Sequence, residues 1–376
     1  MTSESKQLLD SVSELINKTF PVPARFRSKL PSDIAELSKL LTSERGERSL
    51  SYLTRPNLLS AYLHYFLPWN LYRLCFLLPS LNILLKPDDI VTDIGCGPLT
   101  LTSALWISRP DLRNIPLTIN CIDRSSPALE AGKKFFLNLC ESTGDQKNLW
   151  KINIIKKEID FRKVSLKNEK PAALVCVINV FNEVYEKYSH NNTEKLKFTA
   201  ANAAQLLYNE ALPDASILIV EPGVPQSGKF ISFIRSSLLK LGRESVSPCT
   251  HKEKCPLAGN EKRWCHFVFD TSKTSKEILR LSAAAKLPKD RLVLSFIFTG
   301  KTINVTSGAT RIISDIFPLP GGLFGRYGCS ARGLILVTGG KNRIDKLSSF
   351  DIIPENHISI SGDIDVKSRA LIGILK

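Results

Sequence analysis

Apolar positions recur at helical spacing through residues 1–85. Leu8, Leu9, Val12, Leu15 and Ile16 mark one amphipathic helix, and Ile34, Leu37, Leu40 and Leu41 mark a second. The greasiest stretch, Leu58 to Leu85, is divided by Arg73 and interrupted by Pro68 and Pro79. It is too broken for a membrane span and reads as two buried helices. Its aromatic run, SYLTRPNLLSAYLHYFLPWNLYRL, could stack on bases, but helix–helix core is the plainer reading. From residue 87 the texture changes to short apolar runs separated by helical patterns. The runs are Asp88–Ile94, Leu117–Asp123, Ile152–Ile155, Ala172–Ile178 and Ala215–Val220, with helices expected over Pro127–Cys140 and Glu194–Leu212. That rhythm predicts βαβ units and a mostly parallel sheet. Beyond residue 245, Leu292–Phe298, Thr310–Phe317 and Gly333–Thr338 alternate with glycines and predict a small, antiparallel β-rich domain.

Three regions follow: a helical region over 1–85, an α/β domain over 86–245 and a β-rich domain over 246–376. The chain has 376 residues, 43% of them apolar and 23% charged, which excludes a disordered or disulfide-stapled class. A formal charge of +15 argues for a polyanionic partner such as RNA. Residues 241–350 hold 18 Lys/Arg against 8 Asp/Glu, so about two thirds of the excess lies in that segment. The N-terminus lacks an apolar export core and carries Glu4, Asp10 and Glu14, so a cytoplasmic, membrane-free protein is expected. Nine cysteines without a secretory context point to a reducing compartment, where clustered thiols are metal ligands more often than disulfide partners.

The first constellation is Asp93-Ile-Gly95-Cys-Gly97-Pro-Leu99-Thr, between a strand and a helix. Glycines let backbone approach a ligand at the strand's carboxyl end, and Asp123, ending the next strand, can accept hydrogen bonds from two ribose hydroxyls. Together these resemble the S-adenosylmethionine pocket of Rossmann-like methyltransferases, with Leu99 standing where that family's motif has its third glycine. By the same resemblance, the fourth strand's end, Val177-Ile-Asn-Val-Phe-Asn182-Glu183, faces the methyl group and its acceptor. Asn182 and Glu183 are expected to line the pocket there, with Asn182 as the candidate catalytic residue. No general base stands out. Gly223-Val-Pro-Gln-Ser-Gly228-Lys229-Phe230 nearly spells a phosphate-binding loop. Phe230 occupies the position of the magnesium-binding hydroxyl, so nucleotide hydrolysis is excluded in favour of a turn at the pocket rim.

The second constellation is Pro248-Cys249-Thr-His251-Lys252-Glu-Lys254-Cys255-Pro256, then Arg263-Trp264-Cys265-His266, then Gly325-Arg326-Tyr-Gly-Cys329-Ser-Ala-Arg332. Four thiolates can close a tetrahedral zinc site or hold a cubane cluster, and the spacing alone does not choose between them. His251 and His266 are read as supporting groups. A cytosine-C5 nucleophile at Cys249 is disfavoured, because no second motif cysteine accompanies it. Cys75, Cys96, Cys121, Cys140 and Cys176 read mostly as buried small hydrophobes, with Cys96 in the glycine turn ambiguous.

In order, DIGCGPLT, VFNEV, EPGVPQSG, PCTHKEKCPL, WCHF and FGRYGCSARG resemble the Rsm-type and methyltransferase-like protein 17 family of small-ribosomal-subunit assembly proteins, over roughly residues 50–340. The resemblance implies a class I methyltransferase sheet with an N-terminal helical region and a C-terminal metal-binding β-rich domain. It implies a [4Fe-4S] cluster on Cys249, Cys255, Cys265 and Cys329, with zinc as the alternative. It also implies S-adenosylmethionine held by Asp93, Gly95, Gly97 and Asp123. The partner implied is small-subunit ribosomal RNA in immature subunits, and the protein is expected to act as a monomer of bacterial, cytosolic type. Lys252, Lys254, Arg263, Arg326 and Arg332 are the expected phosphate contacts. Methyl transfer to ribosomal RNA is the alternative to a non-catalytic assembly role.

Overall fold

In a computed structural model of the chain, the structure describes residues 1–42, 52–144, 149–166, 170–186, 192–258, 263–272, 274–300 and 308–376. The strand runs of the sequence become β1 (Ile90–Ile94), β2 (Leu117–Asp123), β3 (Trp150–Lys156), β4 (Ala172–Ile178) and β5 (Ala211–Pro222). They form a parallel sheet in the order β3-β2-β1-β4-β5. Chain order runs outward from β1 in one direction through β2 and β3, then reverses through β4 and β5. The reversal leaves a crevice beyond the carboxyl ends of β1 and β4, where α/β sheets of this Rossmann-like kind bind ligands.

Side chains alternate across this sheet because the strand period is two. Val91, Cys121, Leu174, Cys176, Leu218 and Val220 face one core, shared with the helices Thr100–Ser108 and Ser126–Ser142 and the N-terminal helices. Ile94, Ile122, Val175, Val177, Ile217 and Ile219 face the other, under the helices Thr193–Asn209 and Pro225–Lys240.

The same sheet continues past residue 245. The strands β6 (Ser245–Ser247), β7 (Phe267–Asp270) and β8 (Arg291–Thr299) add to it, with β8 antiparallel to β5 and β6 beyond it. Arg291–Thr299 therefore belongs to the first sheet and not to a separate C-terminal one. Its run Leu292–Phe298 is apolar on both faces, as an interior strand requires, and that pattern does not reveal which sheet claims it. The second sheet comprises β9 (Thr310–Ile312), β10 (Phe317–Pro318), β11 (Phe324–Ser330), β12 (Gly333–Gly339), β13 (Ile352–Ile353), β14 (Ile358–Ile364) and β15 (Leu371–Leu375). Its order is β13-β9-β11-β12-β15-β14, with β10 on β11. It is mixed instead of wholly antiparallel, because β12 and β15 run parallel.

The N-terminal region is helical, as expected. Thr2 caps the helix Ser3–Thr19 by accepting the Ser5 N–H, and Leu9, Val12 and Ile16 are its buried face. The two buried helices expected over Leu58–Leu85 are one continuous run from Pro56 to Ser80. Its turn at Tyr62–Phe66 widens, with the Leu67 N–H donating to the Tyr62 carbonyl. Pro68 has no N–H and its ring crowds the preceding turn, so a wide turn just before it lets the helix carry on. Tyr65, Trp69 and Tyr72 are buried core residues whose polar tips are satisfied. Tyr65 donates to the Leu287 carbonyl at 3.0 Å and Tyr72 to Asp10 at 3.0 Å. No helix among the described residues is long and apolar enough to cross a membrane.

Candidate functional site

The crevice at the switch point is a cleft of about 560 Å³. The glycine turn after β1 forms its floor. Gly95, Gly97 and Leu99 all take left-handed backbone, with φ of 72°, 54° and 54°. Leu99 thus adopts the conformation a third glycine would adopt. Its side chain is fully buried in the core, and that burial offsets the strain of about 1–2 kcal/mol that left-handed backbone imposes on a branched residue. The helix Ser126–Ser142 presses on the turn from behind. A Cβ at Gly132 would lie 2.3 Å from the Pro98 carbonyl carbon.

Asp93 and Asp123 both line the cleft. Asp123 accepts the Gly97 N–H at 2.9 Å and the Ser125 N–H at 2.8 Å, which fixes the carboxylate while leaving lone pairs for a ligand. Asp93 is fully buried and neither of its oxygens has a hydrogen-bond partner. Burial, and then the neighbouring Asp123 charge, push its carboxyl up to about 8.

The turn after β4 supplies Asn179, Val180 and Glu183 to the opposite wall. Asn182 is not among the lining residues; its backbone N–H donates to Glu221 at 3.1 Å instead. Glu221 also accepts the Phe181 N–H at 2.8 Å, so the last acid of β5 anchors the first turn of the helix Phe181–Glu186. Burial raises its carboxyl to about 8. Asn179 has φ +57°. Its Nδ2 donates to Asn70 Oδ1 at 3.4 Å, an oxygen that also accepts from Arg73 at 3.0 Å, and its own Oδ1 is buried and unpaired. Asn70 and Tyr62 from the N-terminal helices line the cleft as well, and Arg124 pairs with Glu183 at 2.9 Å on its wall. Sequence reasoning missed Asn70, Tyr62 and Asn179. The first two carry no motif. Asn179 could have been found as the first residue beyond the apolar run of β4.

The near phosphate-binding loop has another use. Gly223 accepts the Trp264 indole N–H at 2.9 Å on its carbonyl, and a Cβ at Gly228 would lie 2.7 Å from Trp264 Cβ. The two glycines seat the segment that carries Cys265.

Cys249, Cys255, Cys265 and Cys329 line one small cavity, of about 40 Å³, with His251, Arg235 and Arg311. All four are free thiols, and no three His, Cys, Asp or Glu side chains among the described residues are drawn together as a ready metal-ligand set. Arg235 donates from Nε to Cys249 Sγ at 3.1 Å, and His251 Nε2 lies 3.4 Å from Cys329 Sγ. Burial, and then the neighbouring sulfurs, raise the Cys265 and Cys329 thiols well above the ordinary range. Cys75, Cys96, Cys121, Cys140 and Cys176 are buried.

The five expected phosphate contacts separate. Lys254 is exposed and makes no ion pair among the described residues. Lys252 pairs with Glu244 and Arg332 with Glu355, both at the surface. Arg263 donates to the carbonyls of Lys367 and Ser368. Arg326 is buried, donating to the carbonyls of Ile344 and Ser314, so it braces the second sheet and is not placed to meet phosphate.

The family described as mitochondrial small ribosomal subunit Rsm22 matches residues 86–317, more than half the chain. The chain belongs to this family. The Rsm22 match covers the whole first sheet and the first three cysteines of the cavity. No curated protein matches the chain. Among solved structures, a methyltransferase from Geobacter sulfurreducens in complex with S-adenosylhomocysteine is similar at 12% identity. That likeness covers 70% of this chain and 97% of the other, with a TM-score of 0.33. A methyltransferase from Thiobacillus denitrificans, also bound to S-adenosylhomocysteine, is similar at 13% identity over 61% of this chain and 90% of the other, with a TM-score of 0.34.

Proposed function

We propose that this Rsm22-family chain is an RNA-associated assembly protein of the small ribosomal subunit that binds S-adenosylmethionine in the switch-point cleft and a thiolate-ligated metal centre in the cysteine cavity. The donor part rests on one observation: a fully buried Asp93 carboxyl with two unpaired oxygens in a cleft formed by a left-handed glycine turn. A buried carboxyl without a partner costs about 1–3 kcal/mol or more, and a ligand ammonium would relieve it. Asp123 has the lone pairs for a ribose diol, and Gly95 and Gly97 leave room for close approach. S-adenosylmethionine supplies an electrophilic methyl group when bound. The residues of this chain bind and orient it. Asn179, with its unpaired carbonyl, takes the place facing the acceptor that was expected of Asn182.

The cysteine cavity fits a thiophilic centre by its donor chemistry. Four thiols from segments up to 80 residues apart line one space, with buried guanidinium groups beside them. A [4Fe-4S] cluster is the preferred occupant and zinc the alternative. Tying Cys249, Cys255 and Cys265 to Cys329 on β11 would close a long loop and join the two sheets. Free thiols at all nine cysteines suit a reducing cytoplasm. The excess of basic residues supports an RNA partner, with Lys254 as an exposed contact and Lys252 and Arg332 available if their surface pairs open.

Two experiments test the reading. Calorimetry with S-adenosylmethionine should show binding that Asp93→Ala and Asp123→Ala abolish; no binding by the unsubstituted chain would remove the donor from the account. Anaerobically purified protein should carry iron and sulfide that Cys329→Ser releases; stoichiometric zinc without sulfide would replace the cluster with zinc. Transfer of labelled methyl to ribosomal RNA of undermodified subunits would add catalysis to the assembly role.

A further inference from the structure

The cysteine cavity carries more positive charge than its surroundings explain. Arg235, from the helix Pro225–Lys240, is 3% exposed, and Arg311, from β9, is 6% exposed. Both line the cavity, and no Asp or Glu lines it with them. Neither guanidinium makes an ion pair with a carboxylate among the described residues. Arg235 donates to Cys249 Sγ at 3.1 Å and to the His251 carbonyl at 2.8 Å. Arg311 donates to the Pro248 carbonyl at 2.9 Å and to the Phe350 carbonyl, and stacks 4.2 Å from the Phe350 ring centroid. Each is thus held in place by neutral acceptors with no carboxylate in contact; Asp351 offsets part of the Arg311 charge from farther off, after Cys249 and Cys265. Burying an unpaired charge is strongly unfavourable, so an anion is expected within reach of both. Four thiolates around a centre of charge 2+, whether zinc or an oxidised cubane, leave a net dianion. Two arginines balance a dianion.

We infer that Arg235 and Arg311 are the counter-charges of the cysteine site, placed to neutralise a dianionic four-thiolate metal centre. The inference rests on the thiolate-centre reading above but applies equally to zinc and to a cluster. It assigns the arginines a role in retaining the centre and none in contacting RNA. Arg235 holds its charge directly on one ligand sulfur; Arg311 lies on the strand that pairs with β11, in register with Cys329.

The test uses the full chain, loaded with metal anaerobically and then challenged with excess chelator. The half-time of metal release is followed by absorbance for the unsubstituted protein, Arg235→Gln, Arg235→Lys and Arg311→Gln. The Gln variants are expected to release metal about tenfold faster or more, the range seen when groups supporting metal ligands are removed. Arg235→Lys, which keeps the charge, is expected to stay close to the unsubstituted rate. Thermal unfolding of the metal-free proteins is the control, and neither Gln variant is expected to melt below the unsubstituted chain, because each removes a buried charge that has no carboxylate in contact. Unchanged release in both Gln variants would overturn the inference and leave the metal site standing. Faster release by Arg235→Lys equal to that of Arg235→Gln would overturn it too, because the charge would not be what matters. If the unsubstituted chain takes up neither zinc nor iron with sulfide, the thiolate-centre reading fails and this inference falls with it.

Discussion

Leu99 shows how one residue can satisfy two demands that conflict. Its backbone is left-handed where glycine is easiest, yet its side chain is fully buried. Leu99→Gly should relieve about 1–2 kcal/mol of backbone strain and forfeit about 2–5 kcal/mol of packing, for a net loss of up to about 4 kcal/mol in chemical denaturation. Asp93 carries a pH signature. Its folded carboxyl titrates near 8, while in the unfolded chain it titrates in the ordinary range near 4. Between those values the folded state holds a proton that the unfolded state has lost. The contribution of Asp93 to stability is therefore fully present below about pH 4 and lost as the pH rises to about 8. Glu221, also raised to about 8, acts in the same direction. A ligand ammonium favours the ionised Asp93, so affinity for S-adenosylhomocysteine should rise from pH 6 to pH 8 and level off above. Asp93→Asn should flatten that profile in calorimetry. Asp93, Gly95, Gly97 and Asp123 were legible in the sequence because their spacing is set by one strand–turn–helix unit. Asn179 was not legible as a cleft residue, because which strand-end side chain enters the cleft depends on where β4 stops, and that is fixed by its pairing with β5.

At the scale of elements, the glycine-rich turn after β5 explains why a segment that nearly spells a nucleotide loop does something else. Gly223 and Gly228 receive Trp264, the neighbour of Cys265. Gly228→Ala places a methyl 2.7 Å from Trp264 Cβ and should destabilise the fold by about 1–3 kcal/mol. Because Trp264 is next to a cavity cysteine, the same change should speed thiol labelling at Cys265, measured by mass spectrometry of labelled peptides. Equal labelling in the two proteins would show that Trp264 does not hold that segment. The five strands of the parallel sheet were readable from apolar runs at βαβ intervals. The placement of β8 was not, because an apolar run buried on both faces looks the same in either sheet and only long-range pairing with β5 decides it. The helix Pro56–Ser80 was readable as helix but not as one helix, since the widened turn before Pro68 leaves no mark in composition.

Over the whole molecule, the chain joins a cleft at the switch point of the first sheet, a four-cysteine cavity and an excess of basic residues. The first sheet extends to Thr299, and Cys329 on the second sheet reaches back to the cavity of the first. The cysteine cluster was visible as spacing, but its convergence depended on a strand that no local pattern could position. The charge excess correctly marked a basic molecule and poorly marked individual contacts: Arg326 is a buried brace, and several other basic side chains are engaged by carbonyls or surface acids. The most direct test is co-sedimentation of the purified chain with immature small ribosomal subunits across a salt series, alongside the Asp93→Ala/Asp123→Ala double variant. The account predicts that both proteins travel with the immature subunits and that binding weakens steeply as salt rises. A chain that stays at the top of the gradient at low salt would contradict it.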